Sequence, residues 1–372
     1  MRISKLTLRS FRNIKELSIA PGRGFNLLVG RNAQGKTNVI ESIGVVSTGA
    51  SFRAQDFRDM IMWGQGAAEI IAEAEGSAGA DTIAVSMNPE AKTFLKNGKR
   101  ALPSKSSSVC TVLFAPEEIM LLRGPPSGRR RYFDLLISQV CPAHRALVSK
   151  YEKVLRQRNR LLGESDLASA VKRSSLEPWD EQLIEFGARI VDNRRRWSRR
   201  INDSIPTHYA RIAPGDAAAV FEYAPHCGAE LSLDGAGDVA IALSSQLALR
   251  RNDELVRGFT LVGPHRDDCI ARIGTNAIKS FGSQGQHRSF VLALKLSEMK
   301  LFREETGEDP VLLLDDVASE LDAGRNRFFF ESISQARGQV FITATRESDI
   351  DMGARTNATI YDVEEGMAKS RK

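Results

Sequence analysis

The octapeptide Gly30-Arg31-Asn32-Ala33-Gln34-Gly35-Lys36-Thr37 constrains the fold more than any other stretch, because it matches G-x-x-x-x-G-K-[ST] without a gap. A loop of this kind works only between a strand and a helix, and both flanks comply. Phe25 to Val29 is a short apolar run ended by Gly30, and after Thr37 the residues Val39, Ile40, Ile43 and Val46 follow helical spacing. Glycines let successive backbone N–H groups turn inward on a phosphate, and the helix N-terminus adds the positive end of its dipole. Lys36 is expected to reach the β- and γ-phosphates of ATP, and the Thr37 hydroxyl to bind Mg²⁺. The candidate nucleotide-binding set is Gly30, Arg31, Asn32, Ala33, Gln34, Gly35, Lys36, Thr37 and the adjoining Asn38, with Lys36 also a candidate catalytic group.

The partner element is Val311-Leu312-Leu313-Leu314-Asp315-Asp316, an apolar run ending in carboxylates, as for a central strand buried on both faces. Asp315 is the candidate Mg²⁺ ligand beside Thr37, and Asp316 the candidate catalytic acid that orients or deprotonates the attacking water. Lys36 and Asp315 stand 279 positions apart, far more than in a compact P-loop kinase or small GTPase. Ser283-Gln284-Gly285-Gln286, 29 positions before Asp315, narrows the class further. S-x-G-Q at a helix start, shortly before a strand ending in Asp, looks like the signature loop of ABC-type ATPases. There the loop serves the ATP held by the opposing subunit, so Ser283, Gly285 and Gln286 join the nucleotide-binding set in trans. Ser319-Glu320-Leu321-Asp322 resembles the D-loop at the same interface.

The length of 372 residues suits about two domains. Strand-like runs near both ends (Leu6 and Leu8, Ile83 to Ser86, Val109 to Phe114, then Phe259 to Val262, Val311 to Leu314 and Val340 to Thr343) point to one α/β head built from both ends of the chain. Between them, after the turn-rich Arg123 to Gly128, Tyr151 to Leu162 and Trp179 to Ile205 read as long helices. The expected division is an ATPase head over 1–122 and 251–372, with an inserted, mainly helical arm over 123–250. Ser104 to Ser108 reads as a loop.

Charge is distributed unevenly. From Arg123 to Arg200 there are 18 Lys and Arg against 9 Asp and Glu, a net of +9 in a chain whose total is +6. A basic segment on a slightly acidic body suits a polyanion binder. The candidate DNA-phosphate contacts are Arg129, Arg130, Arg131, Arg156, Arg160, Arg195 and Arg199, with Arg158, Arg194, Arg196 and Arg200 in the same runs. Arg156 with Arg160, and Arg195 with Arg199, have the i, i+4 spacing that shares a helix face. The four cysteines, Cys110, Cys141, Cys227 and Cys269, form no CxxC pair, which argues against a zinc site or a disulfide framework. The opening residues carry no apolar h-region and no stretch suits a membrane span, so the expected location is cytoplasmic.

With those residues in place the chain resembles the RecF family of bacterial recombination and replication-repair proteins, an ABC- and SMC-type ATPase family. The resemblance runs in order through Phe11-Arg12-Asn13, the loop at Gly30, Ser51-Phe52-Arg53 and Pro116-Glu117. It continues with Gly124, Pro126, Arg129, Arg130 and Asp134, then Gly263-Pro264-His265-Arg266-Asp267-Asp268, the S-x-G-Q loop and Asp315-Asp316. The resemblance implies nucleotide contacts from Arg12 and Asn13 and an ATP-dependent homodimer that binds single-stranded and double-stranded DNA and their junctions. It also implies partnership with RecR and RecO in loading recombinase onto gapped DNA. Three departures from the broader ABC pattern bear on catalysis. No glutamine follows Phe114, where Pro116-Glu117 stands; Thr343 and Thr345 occupy the region of the switch histidine; and the second acid is Asp316, not Glu. Slow hydrolysis is the expectation. The alternative, an ATP-binding subunit of an ABC transporter, would share both loops but not the basic insertion between them.

Overall fold

The structure is a computed structural model that describes residues 1–76, 79–101, 109–164, 169–227, 235–317, 322–334, 337–350 and 358–371. Ser104 to Ser108, and Ser319, Glu320 and Leu321 of the expected D-loop, lie outside the described residues. The chain forms two compact units. The first comprises Met1–Ile119, Thr207–Asp216 and Ser283–Lys372; the second comprises Met120–Pro206 and Ala217–Gly282. The units therefore change over at 119/120 and 282/283, and a ten-residue segment returns to the first unit between them. The sequence places the changes at 122/123 and 250/251.

The first unit holds two six-stranded sheets. One has the order β2-β1-β4-β5-β6-β7, from Ile14–Ile19, Arg2–Phe11, Ala68–Gly76, Gly79–Met87, Lys92–Lys96 and Lys99–Ala101. It is antiparallel throughout, and in β1 the residues Ile3, Leu6, Leu8 and Phe11 are buried. The other sheet has the order β15-β14-β3-β13-β12-β8, from Met367–Ser370, Thr359–Glu364, Phe25–Val29, Val340–Ala344, Val311–Leu314 and Thr111–Phe114. All its neighbours are parallel except the β14–β15 hairpin. Every residue of β3, β12 and β13 is buried, as continuous apolar runs in the middle of a parallel sheet require.

Helix α1 (Lys36–Thr48) follows β3 and is buried on most of its circumference. Its Val39, Ile40, Ile43 and Val46 share one core with Leu6 and Leu8, with Ile70 and Val85, and with Leu313 and Phe341 of the parallel sheet. Its buried set also includes the polar Glu41, Ser42 and Ser47, so the helix is enclosed rather than merely amphipathic. The parallel register brings the carboxyl ends of β3, β13 and β12 to one edge of the sheet, with Ala344 opposite Val29 and Leu314 opposite Ile342. In parallel α/β sheets ligands bind outside those ends.

The second unit contains α2 (Pro126–Val140), α3 (Pro142–Gly163), α4 (Ser169–Asn202), most of its helical mass, and α6 (Ala236–Arg257); α5 (Ile205–Ile212) lies at the crossing into the first unit. Helix α4 begins well before Trp179 and runs through Pro178, because the burial of Leu183, Ile190, Val191, Trp197 and Ile201 along one face outweighs one missing N–H. A three-stranded antiparallel sheet, β11-β10-β9, from Asn276–Ala277, Asp268–Ile273 and Ala219–Ala224, accompanies the helices. Phe259 to Val262 is not a strand. Its backbone bonds go to side chains instead: Thr260 N–H donates to Asn159 Oδ1 at 2.8 Å and Leu261 N–H to Glu254 Oε1 at 2.9 Å. The first unit also holds α7 (Gln284–Thr306) and α8 (Ala323–Ser334). No helix among the described residues is long and apolar enough to cross a membrane.

Candidate functional site

Gly30 to Thr37 forms the turn from β3 into α1. Gly30 lies against the backbone of β14, where a Cβ would stand 2.2 Å from the Val363 carbonyl oxygen, so no larger residue fits. Ala33 and Gly35 adopt left-handed backbone at φ 65° and 108°, which turns neighbouring N–H groups to the same side. Gly35 is the N-cap of α1, and no side chain caps that helix end. Gln34 does not line the cavity; it anchors the loop, accepting at Oε1 from Glu365 N at 2.7 Å and at its carbonyl from Gly366 N at 2.9 Å.

A cavity of about 520 Å³ opens over this loop, lined by Asn13, Asn32, Ala33, Gly35 to Asn38, Arg53, Asp315, Asp316 and Thr343 to Thr345. Lys36 folds back to donate to the carbonyls of Gly30 at 2.5 Å and Arg31 at 2.7 Å. Burial lowers its pKa, while Asp315 and Asp316 act in the opposite sense. Asp315 Oδ1 accepts from the Thr37 hydroxyl at 2.9 Å and from the Thr343 hydroxyl at 2.8 Å. Burial raises the Asp315 pKa, the two hydroxyls lower it, Glu117 raises it and Arg53 lowers it. Asp316 is exposed, with a φ of 50°, and its N–H donates to Thr343 Oγ1 at 2.9 Å.

Asn13 and Asn38 reach the cavity as a linked pair: Asn38 Nδ2 donates to Asn13 Oδ1 at 2.7 Å, and Asn13 Nδ2 to the Ala33 carbonyl at 3.2 Å. Arg12 does not line it. Its guanidinium grips the fully buried Glu41 with two bonds of 3.0 and 2.6 Å, with a third to the Asp59 carbonyl at 2.7 Å. Arg53, which donates to Asn38 Oδ1 at 3.0 Å, is the second cation at the cavity. Sequence spacing does not assign Arg53 to the nucleotide, although it stands in the Ser51-Phe52-Arg53 triplet. Strand order brings in Thr343 and Thr345, which the sequence marks only as standing where a switch histidine would be.

The Ser283 to Gln286 loop contributes no residue to this cavity. It caps α7 with a capping box: Gln286 N–H donates to Ser283 Oγ at 3.1 Å, and Ser283 N–H to Gln286 Oε1 at 3.0 Å. Ser283 and Gln284 remain exposed. Arg325, on α8, donates to Ser289 Oγ at 3.0 Å and to Asp322 Oδ2, so the helix after the D-loop region is tied to the helix after Ser283.

The arginines of the second unit divide sharply. Arg131, Arg156, Arg160 and Arg199 are exposed. Arg129 is buried, with paired bonds of 2.6 and 3.0 Å to Asp268, and Arg130 is half-buried with a 2.7 Å bond to the Asp267 carbonyl. Arg158 is fully buried on Asp180 and Glu254. Arg194 is buried on Asp134 at 2.9 and 2.7 Å and on Asp267 at 3.3 Å. Arg195 is buried as well, one turn after Val191 on the inward side of α4, so Arg195 and Arg199 do not share an exposed face. Burial corrects the expectation for Arg129, Arg158, Arg194 and Arg195: the first three guanidiniums serve internal ion pairs, and the fourth is turned away from solvent. Asp134, half-buried but held by Arg194 and His144, is brought down to about 2. His265 is pushed down to about 4 by burial; its Nδ1 meets the Tyr151 hydroxyl at 2.7 Å. None of the four cysteines forms a disulfide, and no cluster of three His, Cys, Asp or Glu side chains suited to a metal occurs among the described residues.

The chain is similar to several known proteins. A family model described as an AAA domain matches residues 5–101. The DNA replication and repair protein RecF of Geotalea uraniireducens is 34% identical over 370 residues, 98% of this chain and 99% of that protein. A solved structure of the recombination mediator protein RecF-ATP in the RecFOR pathway superposes with a TM-score of 0.86 at 30% identity, covering 100% of this chain and 99% of the other. The Smc head bound to the C-terminal winged-helix domain of ScpA, at 16% identity and a TM-score of 0.55 over 100% and 97% of the two chains, shares the fold.

Proposed function

Since this chain belongs to the RecF family of DNA replication and repair proteins, we propose that it binds and slowly hydrolyses Mg²⁺-ATP, pairs with a second copy through that nucleotide, and in that form binds DNA. The observation that carries the reading is the cluster of Lys36, Thr37, Asp315 and Asp316 at the carboxyl ends of β3 and β12, in one cavity with the left-handed loop. The donor set fits a polyphosphate: uncapped N–H groups at the head of a thirteen-residue helix, the Lys36 ammonium and the Arg53 guanidinium. The acceptor set fits Mg²⁺, a hard cation that takes one or two protein oxygens and keeps its phosphate and water ligands. Thr37 and Asp315 would supply those oxygens, and the metal would offset charge on the transferred phosphoryl group.

In this reading Lys36 leaves the Gly30 and Arg31 carbonyls for the phosphates, and Asp316, exposed beside Asp315, orients the attacking water or takes its proton. A shorter acid than Glu, with no histidine after β13, is consistent with slow turnover. Ser283, Gly285 and Gln286 would complete the site of a second copy, since within one chain they lie outside the cavity. Exposed Arg131, Arg156, Arg160 and Arg199, with Lys153 on the same side of α3 as Arg156 and Arg160, would contact DNA phosphates. Partnership with RecR and RecO, and a preference for gapped or junction DNA, follow from family membership. We retain the division into a head over 1–122 and 251–372 and an arm over 123–250 as the functional partition.

The test is ATP turnover with and without gapped DNA. Wild-type protein is expected to hydrolyse ATP slowly and faster with DNA, and Lys36→Ala to lose about 100-fold in ATP affinity with its fold intact. Full ATP affinity in folded Lys36→Ala protein would refute the site; turnover indifferent to DNA would refute the coupling.

A further inference from the structure

We infer that Thr343 is the positioning residue of the acidic pair: its single hydroxyl sets the direction of both Asp315 and Asp316. The inference rests on the ATPase reading above and adds to it the group that aims the acids. Thr343 lies on the interior strand β13, opposite Leu28 of β3 and one residue past the last pairing with β12, Leu314 opposite Ile342, and is 2% exposed, so the sheet holds its backbone. Its β-branched side chain is stiff at χ1. A hydroxyl carries one proton and two lone pairs, and this one uses both functions on neighbouring acids. The proton goes to Asp315 Oδ1 at 2.8 Å, and a lone pair receives the Asp316 N–H at 2.9 Å.

The second bond has a particular task. Asp316 holds a φ of 50°, a left-handed conformation that a non-glycine residue seldom adopts without a constraint. With Asp316 N–H tied to the sheet through Thr343, the Asp316 side chain is presented to the cavity rather than back along the chain. The first bond reaches the same Asp315 oxygen that Thr37 uses. Thr37 also donates to Oδ1, at 2.9 Å, but Thr37 is itself a candidate metal ligand, which leaves Thr343 as the donor with no metal to hold. No histidine stands on this side of the site: Thr343, Ala344 and Thr345 line it. Aiming the acids thus falls to a hydroxyl that does not titrate in the working pH range. A threonine can hold a carboxylate and a backbone amide, but it cannot carry a proton away at neutral pH.

Three variants test this: Thr343→Val, which keeps shape and removes the hydroxyl; Thr343→Ser, which restores it; and Thr343→Ala. ATP affinity is measured by titration in EDTA and in Mg²⁺, alongside kcat, KM and the melting temperature. Thr343→Val is expected to keep its EDTA affinity within about twofold, and to lose about 10–100-fold in kcat and in the Mg²⁺-dependent gain of affinity, the range for groups that orient metal ligands. Thr343→Ser is expected to recover most of both. Should Thr343→Val fail to fold, Thr343→Ala stands in its place against Thr343→Ser. Wild-type kcat and Mg²⁺ dependence in the hydroxyl-free variant would overturn the inference, as would a serine variant no better than valine. Wild-type protein that binds no ATP overturns the ATPase reading itself, and with it this inference.

Discussion

At the scale of single residues, the site holds its charges at a cost. Asp315 lies largely out of water, and burial lifts its pKa above the ordinary 3.8 even though two hydroxyls and Arg53 act to lower it. A carboxyl raised in the folded state contributes stability that is present below its unfolded pKa and lost as pH rises through the folded value. The ionised form therefore destabilises the nucleotide-free protein at neutral pH. Asp315→Asn is expected to melt higher than wild type at pH 8, by a margin that narrows as pH falls towards 4, and to lose about tenfold or more of Mg²⁺-dependent ATP affinity. Thermal melts across pH with parallel titrations check this; a variant that melts lower at pH 8 contradicts it. The sequence makes Lys36, Thr37 and Asp315 legible because their spacing and flanks carry the chemistry. Thr343 is marked only as standing where a switch histidine is missing, and Arg53 only by its triplet with Ser51 and Phe52. Their place depends on β13 lying between β3 and β12, and on the loop after α1 turning back to Asn38, both long-range facts.

The helices show where counting charge falls short. Net charge from Arg123 to Arg200 is a sum over positions, and α3 and α4 sort those positions by face. Arg158 and Arg194 point inward with the core residues, whereas Arg156, Arg160 and Arg199 point outward. Much of what looks like a polyanion surface is thus an internal network that also uses Asp134, Asp267 and Asp268. The same network accounts for several residues that carry the family resemblance, which are read most simply as folding determinants of the second unit. Arg194→Ala is expected to cost about 3–5 kcal/mol, because it removes the cation shared by the buried Asp267 and the partly buried Asp134. The double substitution Arg156→Glu and Arg160→Glu is expected to change stability by no more than about 0.5 kcal/mol. It should also weaken duplex binding and flatten the log–log salt dependence by about 0.9 for each DNA phosphate that is no longer neutralised. Melts and a salt series of binding isotherms separate the two classes, and a destabilised double variant with unchanged DNA affinity would reverse the assignment. The strand mistaken in Phe259 to Val262 has a similar cause: a short apolar run cannot reveal that Asn159 and Glu254 satisfy its amides.

For the whole molecule, the proposed pairing of two copies rests on the placement of the Ser283 loop. One chain presents the phosphate loop, the metal-binding oxygens and the acids in one cavity, yet the exposed Ser283 loop, complete as a helix cap, contributes nothing to it. Two copies would then hold two composite sites, each built from the Lys36 side of one chain and the Ser283 side of the other. The two-ended construction of the first unit is legible in the sequence, since the motifs lie at both ends of the chain; the return of Thr207–Asp216 to that unit is not, because nothing local in the segment marks it. Sedimentation of Ser283→Arg and Lys36→Ala proteins, each alone and in equimolar mixture with Mg²⁺-ATP, tests the composite site most directly. Each variant alone, at an ATP concentration that saturates only wild type, should stay monomeric, the first because a bulky cation fills the facing phosphate pocket and the second because its ATP affinity is about 100-fold weaker. The mixture should form a dimer containing one intact site. A mixture that sediments as monomers while wild type dimerises, or a Lys36→Ala protein that dimerises alone with ATP, would contradict the account.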